Sequence, residues 1–172
     1  LTVNNKIYDG TVTAPLDTNN ISYSGLVDGD DFTGTYSGVF ADANVGTNKT
    51  VTITSTYSGA DVGNYTVTNQ SSATGNIVAK TLTATASASN KVYDATNSAT
   101  TSLTLSGLIG TETLTTSNTS TFNNKNVGTG KTVTVNSITL TDGTGLATNY
   151  SISPGQTTTA NVTAKALTVS GI

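Results

Sequence analysis

Lys6-Ile7-Tyr8-Asp9 returns as Lys91-Val92-Tyr93-Asp94, and much of the chain follows suit. Asn44-Val45-Gly46-Thr47 recurs as Asn126-Val127-Gly128-Thr129, each time followed by a lysine, Lys49 or Lys131. Asn64-Tyr65 recurs as Asn149-Tyr150, and the segment 77–82 as 162–167. Motifs repeated in one order mean two copies of one structural unit. The repeat spacing is about three residues shorter in the middle than at either end, and length changes of that kind sit in loops. The repeat predicts two domains, 1–81 and 82–166, with 167–172 opening a third. Starting and stopping inside a repeat, the chain reads as a piece of a longer secreted protein.

Period-two patterning predicts an all-β fold. In 50–57, Val51, Ile53 and Tyr57 share one face while Thr50, Thr52, Thr54 and Thr56 share the other, the alternation of a half-buried strand. The second copy starts alike with Val133 and Val135, but Ile138 and Leu140 fall one register later, which predicts a β-bulge near Asn136-Ser137. Short strands are expected at 21–26 and 32–40, and again where Tyr65 and Val67, then Tyr150 and Ile152, alternate. Gly46 and Gly128 are read as supplying free backbone dihedrals to a loop. The stretch 76–94 holds no Gly or Pro and reads as one long strand that closes the first unit and opens the second. One short helix per unit is allowed near 9–18. The expected architecture is two small β-sandwich or β-grasp-like domains placed end to end.

The side-chain inventory argues against an enzyme. The chain has no His and no Cys, and Glu112 is its only glutamate. The usual general base, the thiol nucleophile and the soft metal ligands are therefore missing, and no cofactor is expected. Charged residues make up 10 % of the chain, against about 25 % in ordinary domains. There is no Arg and the lysines are scattered, so nothing resembles a nucleic-acid footprint. No stretch is apolar for long enough to insert in a membrane.

Asp28, Asp30 and Asp31 form the one cluster that calcium would take, since hard cations prefer carboxylate oxygens. The matching residues in copy two are Gly110, Glu112 and Thr113, so a solvated turn is the favoured reading. Tyr8 and Tyr93 read as core aromatics, with Asp9 and Asp94 capping the turn that follows. A Lys–Asn amide crosslink is the alternative for that motif. The ladders of Thr at 50–56 and 81–85 have a spacing that orders water, but the plainer reading is the solvent face of strands.

The pattern K-x-Y-D-G/A, then S-G-L, N-V-G-T-x-K, N-Y and I/V-x-A-K-x-L-T resembles the YDG/MBG-type repeat domains. The likeness covers nearly the whole chain, with Tyr8, Asp9, Gly46 and Tyr65 answered by Tyr93, Asp94, Gly128 and Tyr150. Copy two departs at Ala95, where the family likes Gly, and at 110–113, where an acidic Gly-Asp pair is usual. The resemblance implies tandem β-rich modules of large bacterial surface or secreted adhesins, filamentous-haemagglutinin-like exoproteins among them. The implied function is a structural stalk or spacer outside the cell, on the surface of a Gram-negative bacterium, with neighbouring repeats as partners. The competing expectation is a directly adhesive module that contacts glycans or host or bacterial surface proteins through Tyr23, Tyr36 and Tyr57.

Overall fold

A computed structural model describes residues 1–171 and divides into two compact units, Leu1–Lys80 and the remainder from Thr81. In unit 1 the strands are β1 (Thr2–Val3), β2 (Lys6–Ile7), β3 (Thr13–Ala14), β4 (Leu16–Asp17), β5 (Thr33–Phe40), β6 (Gly46–Ser58) and β7 (Ser72–Val78). The main sheet runs β2-β7-β6-β5-β3, all antiparallel except the parallel pair β2/β7. After β8 (Lys80–Thr81), unit 2 holds β9 (Thr83–Ala88), β10 (Lys91–Val92), β11 (Ser98–Ala99), β12 (Thr101–Ser106), β13 (Leu114–Phe122), β14 (Gly128–Asp142), β15 (Tyr150–Ser151) and β16 (Thr157–Thr163). Its main sheet, β10-β16-β14-β13-β11, repeats the first in order and direction. The chain is all-β.

The buried faces correspond residue for residue. Phe40, Val51, Ile53 and Ile77 are buried in unit 1, and Phe122, Val133, Val135 and Val162 in unit 2. A smaller two-stranded layer, β1/β4 in unit 1 and β9/β12 in unit 2, covers part of this face. The close approach explains two glycines inside strands. A Cβ on Gly38 would stand 2.8 Å from Leu16 Cδ2, and one on Gly75 would stand 2.5 Å from Val3 Cγ1. The layering is that of a small sandwich; a β-grasp needs a helix across the sheet, and only two short 3-10 turns, Val62–Asn64 and Ala147–Asn149, occur among the described residues.

Several expectations are corrected. No helix forms at 9–18, because that segment is drawn into β3 and β4 by backbone pairing. The long strand expected over 76–94 is broken at Ala79, Leu82 and Ser89-Asn90 as it changes partners, from β6 and β2 to β12 and then β16. Residues 21–26 and 65–67 are not strands, although their counterparts in unit 2 are β12 and β15. Those unit 2 strands pair with the segment Thr81–Ala88, and in unit 1 only Thr2 and Val3 play that part. The bulge is present: Ser120 faces Val135 and Thr119 faces Ser137, leaving Asn136 as the extra residue. Of the expected start of a third repeat, Ile172 lies outside the described residues, and Leu167 and Val169 are exposed.

Gly46 and Gly128 are also corrected. Neither has a positive φ; the left-handed residues are Asn48 (φ 51°) and Gly130 (φ 57°), the extra residues of a bulge that both β6 and β14 carry. Each bulge donates its backbone N–H to a repeated asparagine, Asn48 to Asn76 Oδ1 and Gly130 to Asn161 Oδ1, both at 2.8 Å. Gly46 and Gly128 are small because a Cβ there would press on the Lys49 or Lys131 stem at 3.2 Å.

Gly10 (φ 76°) is answered by Ala95 at φ 68°, where a Cβ crowds the backbone. Ala95→Gly is therefore expected to stabilise unit 2 by about 1 kcal/mol. Thermal unfolding followed by residue-resolved signals of unit 2 checks it; an unchanged or lower midpoint would sink it.

Candidate functional site

The repeated Lys-x-Tyr-Asp motif builds a turn around a lysine. Lys6 is 8 % exposed, and its ammonium donates to Thr11 O at 2.8 Å, Thr11 Oγ1 at 2.7 Å and Thr13 O at 2.9 Å, while pairing with Asp9 Oδ1 at 2.9 Å. Asp9 Oδ1 accepts from Thr11 N–H and Oγ1–H, closing an Asx turn. Lys91 repeats the set on Thr96 O, Thr96 Oγ1, Ser98 O and Asp94 Oδ1. Tyr8 is buried and donates its N–H to Val78 O; Tyr93 is half-buried, donates to Thr163 O and packs on the cluster of Phe122, Val133, Ala160 and Val162.

These contacts set the carboxyl chemistry. Burial works to raise the Asp9 carboxyl, but the Lys6 and Thr11 bonds outweigh it and hold it below its ordinary value. The Lys91 ammonium, with both Thr96 donors, brings Asp94 down to about 2. A carboxyl lowered on folding stabilises the fold fully above its unfolded pKa, about 3.9, and that contribution goes as pH falls through the folded value. Unit 2 is thus expected to lose stability between about pH 4 and pH 2, and Asp94→Asn to flatten that slope. Equal slopes in acid titrations of the two proteins would contradict the assignment.

The second repeated lysine caps another turn. Lys49 meets Asp42 Oδ1 at 2.7 Å, and Asn44 N–H donates to the same oxygen. In copy two Asn124 replaces the aspartate, and Lys131 donates to Asn124 O at 2.8 Å, Asn124 Oδ1 at 2.5 Å and Asn126 O.

The repeated Asn-Tyr pair ends in a latch. The Tyr65 hydroxyl accepts from Val27 N–H at 3.0 Å and donates to Asp30 Oδ2 at 2.5 Å. The Tyr150 hydroxyl accepts from Ile109 N–H at 3.0 Å and donates to Glu112 Oε2 at 2.6 Å. The Asp30 bond leads in raising the Tyr65 phenol, whereas burial followed by the Glu112 bond raises Tyr150.

Asp30 is therefore engaged by Tyr65. Asp31 Oδ2 accepts from Ala60 N–H, Asp31 N–H donates to Asp61 Oδ2, and Asp28 points into solvent as an exposed residue. Copy two makes the same clip with hydroxyls, Thr113 N–H to Thr144 Oγ1 and Thr144 N–H to Thr113 Oγ1. Among the described residues no three acidic side chains converge as a metal site. The Thr ladders at 50–56 and 81–85 are exposed.

What the copies do not share is an aromatic cleft in unit 1. Phe32 stands at its centre, with ring centroids 4.9 Å from Tyr23, 5.3 Å from Tyr57 and 5.6 Å from Tyr65. The Tyr23 and Tyr36 hydroxyls bond each other at 2.9 Å over Gly34, where any Cβ would collide with both oxygens. Tyr57 donates to Asn69 Oδ1 at 2.6 Å. The cleft encloses about 550 Å³, and no Asp, Glu or Lys side chain lines it. Burial, then the Tyr23 hydrogen bond, pushes the Tyr36 phenol upward. The sequence singled out Tyr23, Tyr36 and Tyr57, which meet here; Phe32 and Tyr65 complete the set.

Two copies of one all-β unit, each held by lysine-capped turns and a tyrosine latch, define a tandem repeat protein. The YDG domain matches residues 1–74 and again 78–160, and the chain belongs to that family. No curated protein and no solved structure matches it significantly.

Proposed function

We propose that the chain is a structural, non-enzymatic spacer segment of a bacterial surface or secreted adhesin, working outside the cell with its neighbouring repeats as partners. The observation that carries this reading is the division between what is repeated and what is not. The Lys6/Lys91 and Lys49/Lys131 turns and the Tyr65/Tyr150 latch recur, and each joins parts of one unit to one another. Of the five rings around the unit 1 cleft only Tyr65 recurs, as the latch tyrosine Tyr150. Leu105 and Leu114 stand in place of Tyr23 and Phe32. A spacer needs each repeat to fold, and places no such demand on a common binding surface. Low charge fits a surface that attracts little non-specific electrostatic association.

The competing reading, direct adhesion to glycans or surface proteins, rests on the unit 1 cleft, where half-buried rings and uncharged polar groups suit a sugar face. Binding of the labelled chain to a glycan panel and to whole cells, up to about 1 mM, separates the two. No saturable binding is expected; saturable binding that Tyr57→Ala abolishes would replace the spacer with an adhesive module.

A further inference from the structure

The Tyr65 latch spans a turn whose chemistry the second copy does not share. In unit 1, Asp30 N–H closes the turn on Val27 O at 3.3 Å. The Tyr65 hydroxyl ties the two ends together, accepting from Val27 N–H and donating to Asp30 Oδ2. In unit 2, Glu112 N–H closes on Ile109 O at 3.0 Å, and the Tyr150 hydroxyl ties Ile109 to Glu112 in the same way. The central residues differ. They are Asp28-Gly29 in unit 1 and Gly110-Thr111 in unit 2.

An aspartate followed by glycine is placed to turn its carboxyl on its own main chain, because no Cβ shields the glycine nitrogen. The chain has three such pairs, Asp9-Gly10, Asp28-Gly29 and Asp142-Gly143. Two of them are held. Asp9 Oδ1 is fixed by the Lys6 ammonium and by both Thr11 donors. Asp142 Oδ1 accepts from Ala147 N–H at 2.6 Å, and Gly143 N–H donates to Gly145 O at 3.1 Å. A Cβ on Gly143 would stand 2.3 Å from Thr113 O, so that backbone is also packed in. Asp28 is different. It is exposed, and it makes no hydrogen bond or ion pair among the described residues. Gly29 N–H donates to no backbone carbonyl there, and nothing lies within 4 Å of where its Cβ would be.

We propose that Asp28-Gly29 is a site of spontaneous isomerisation, and that the change releases the Tyr65 latch of unit 1. The Gly29 nitrogen attacks Asp28 Cγ and gives up its proton, and the carboxyl hydroxyl departs as water. The product is a five-membered cyclic imide. Water then opens the ring at one of its two carbonyls. Attack at Cγ restores aspartate. Attack at the Asp28 main-chain carbonyl carbon leaves the chain running through Cβ and Cγ, with the carboxylate as a side group. One water leaves and one enters, so the mass is unchanged. The isomer inserts a methylene between Val27 and Asp30, the two residues the Tyr65 hydroxyl spans, and the hydroxyl no longer holds both. Gly110 has no carboxyl to begin the reaction, so the Tyr150 latch persists.

The test uses the whole chain, aged for weeks at neutral pH, then digested and fragmented by electron transfer, which tells isoaspartate from aspartate. Isoaspartate is expected at position 28 and not at 9 or 142, with the intact mass unchanged. Asp28→Asn is expected to reach the same product faster, with ammonia leaving in place of water. Asp28→Ser is expected to form none there. In the aged wild type, residue-resolved NMR is expected to show the Tyr65 phenol titration, which the Asp30 bond holds up, moving down while Tyr150 stays put. Aspartate intact at position 28, or isoaspartate in equal amounts at all three pairs, overturns the site. An unmoved Tyr65 titration in the isomerised chain overturns the release of the latch.

Discussion

Tyr8→Ala will cost unit 1 about 3–5 kcal/mol, the range for removing a buried aromatic side chain. Tyr8 is 5 % exposed and its backbone continues the parallel β2/β7 pairing through Val78 O. A unit of this size has roughly 4–12 kcal/mol of stability in total, so the variant sits near or past the point of unfolding. Tyr93→Ala will cost unit 2 less, because its ring is half-buried against Phe122 and its neighbours. Residue-resolved hydrogen exchange measures the two units separately. Strong loss of protection in β5, β6 and β7 is expected for the first variant, with unit 2 protected as before. Wild-type protection in β6 would show that the ring does not hold the core.

The strands with strict alternation were legible because one face meets core and the other water. The shift of phase after Val135 was legible for the same reason: an extra residue turns every later side chain over. Residues 21–26 misled because their apolar alternation is that of a strand whose partner unit 1 does not supply. Gly46 misled because a glycine in a loop suggests a left-handed backbone, when here it spares room for a lysine stem. The latch could have been found. An acid stands at one repeat position in both copies, Asp30 and Glu112, ahead of the repeated tyrosines. The exchange of Asp31 and Asp61 for Thr113 and Thr144 left a weaker trace, since both members of a contact change together. The lysine-capped turns were the least legible, because a lysine in a polar motif reads as surface charge until its carbonyl partners are known.

Those partners lead to the second large effect. Lys6→Met keeps most of the stem and removes the ammonium, leaving Thr11 O and Thr13 O without that donor. The expected cost to unit 1 is about 2–4 kcal/mol, the scale of unsatisfied groups in a partly buried turn. Asp9→Asn should cost only about 1 kcal/mol, because the carboxylate is half-exposed and solvent screens the pair. Its amide oxygen can still accept from Thr11 N–H. If the ion pair were the main contribution, the two single variants would cost alike and the double variant little more than either. Carbonyl capping predicts instead that Lys6→Met dominates and that adding Asp9→Asn recovers almost none of its cost. Denaturant unfolding of the four proteins decides between these patterns. Unit 2 already contains the relevant comparison, for Lys131 caps its turn on Asn124 and Asn126 oxygens where unit 1 sets Asp42 opposite Lys49. The lysine is kept where the opposing charge is gone, and there it donates to neutral oxygens.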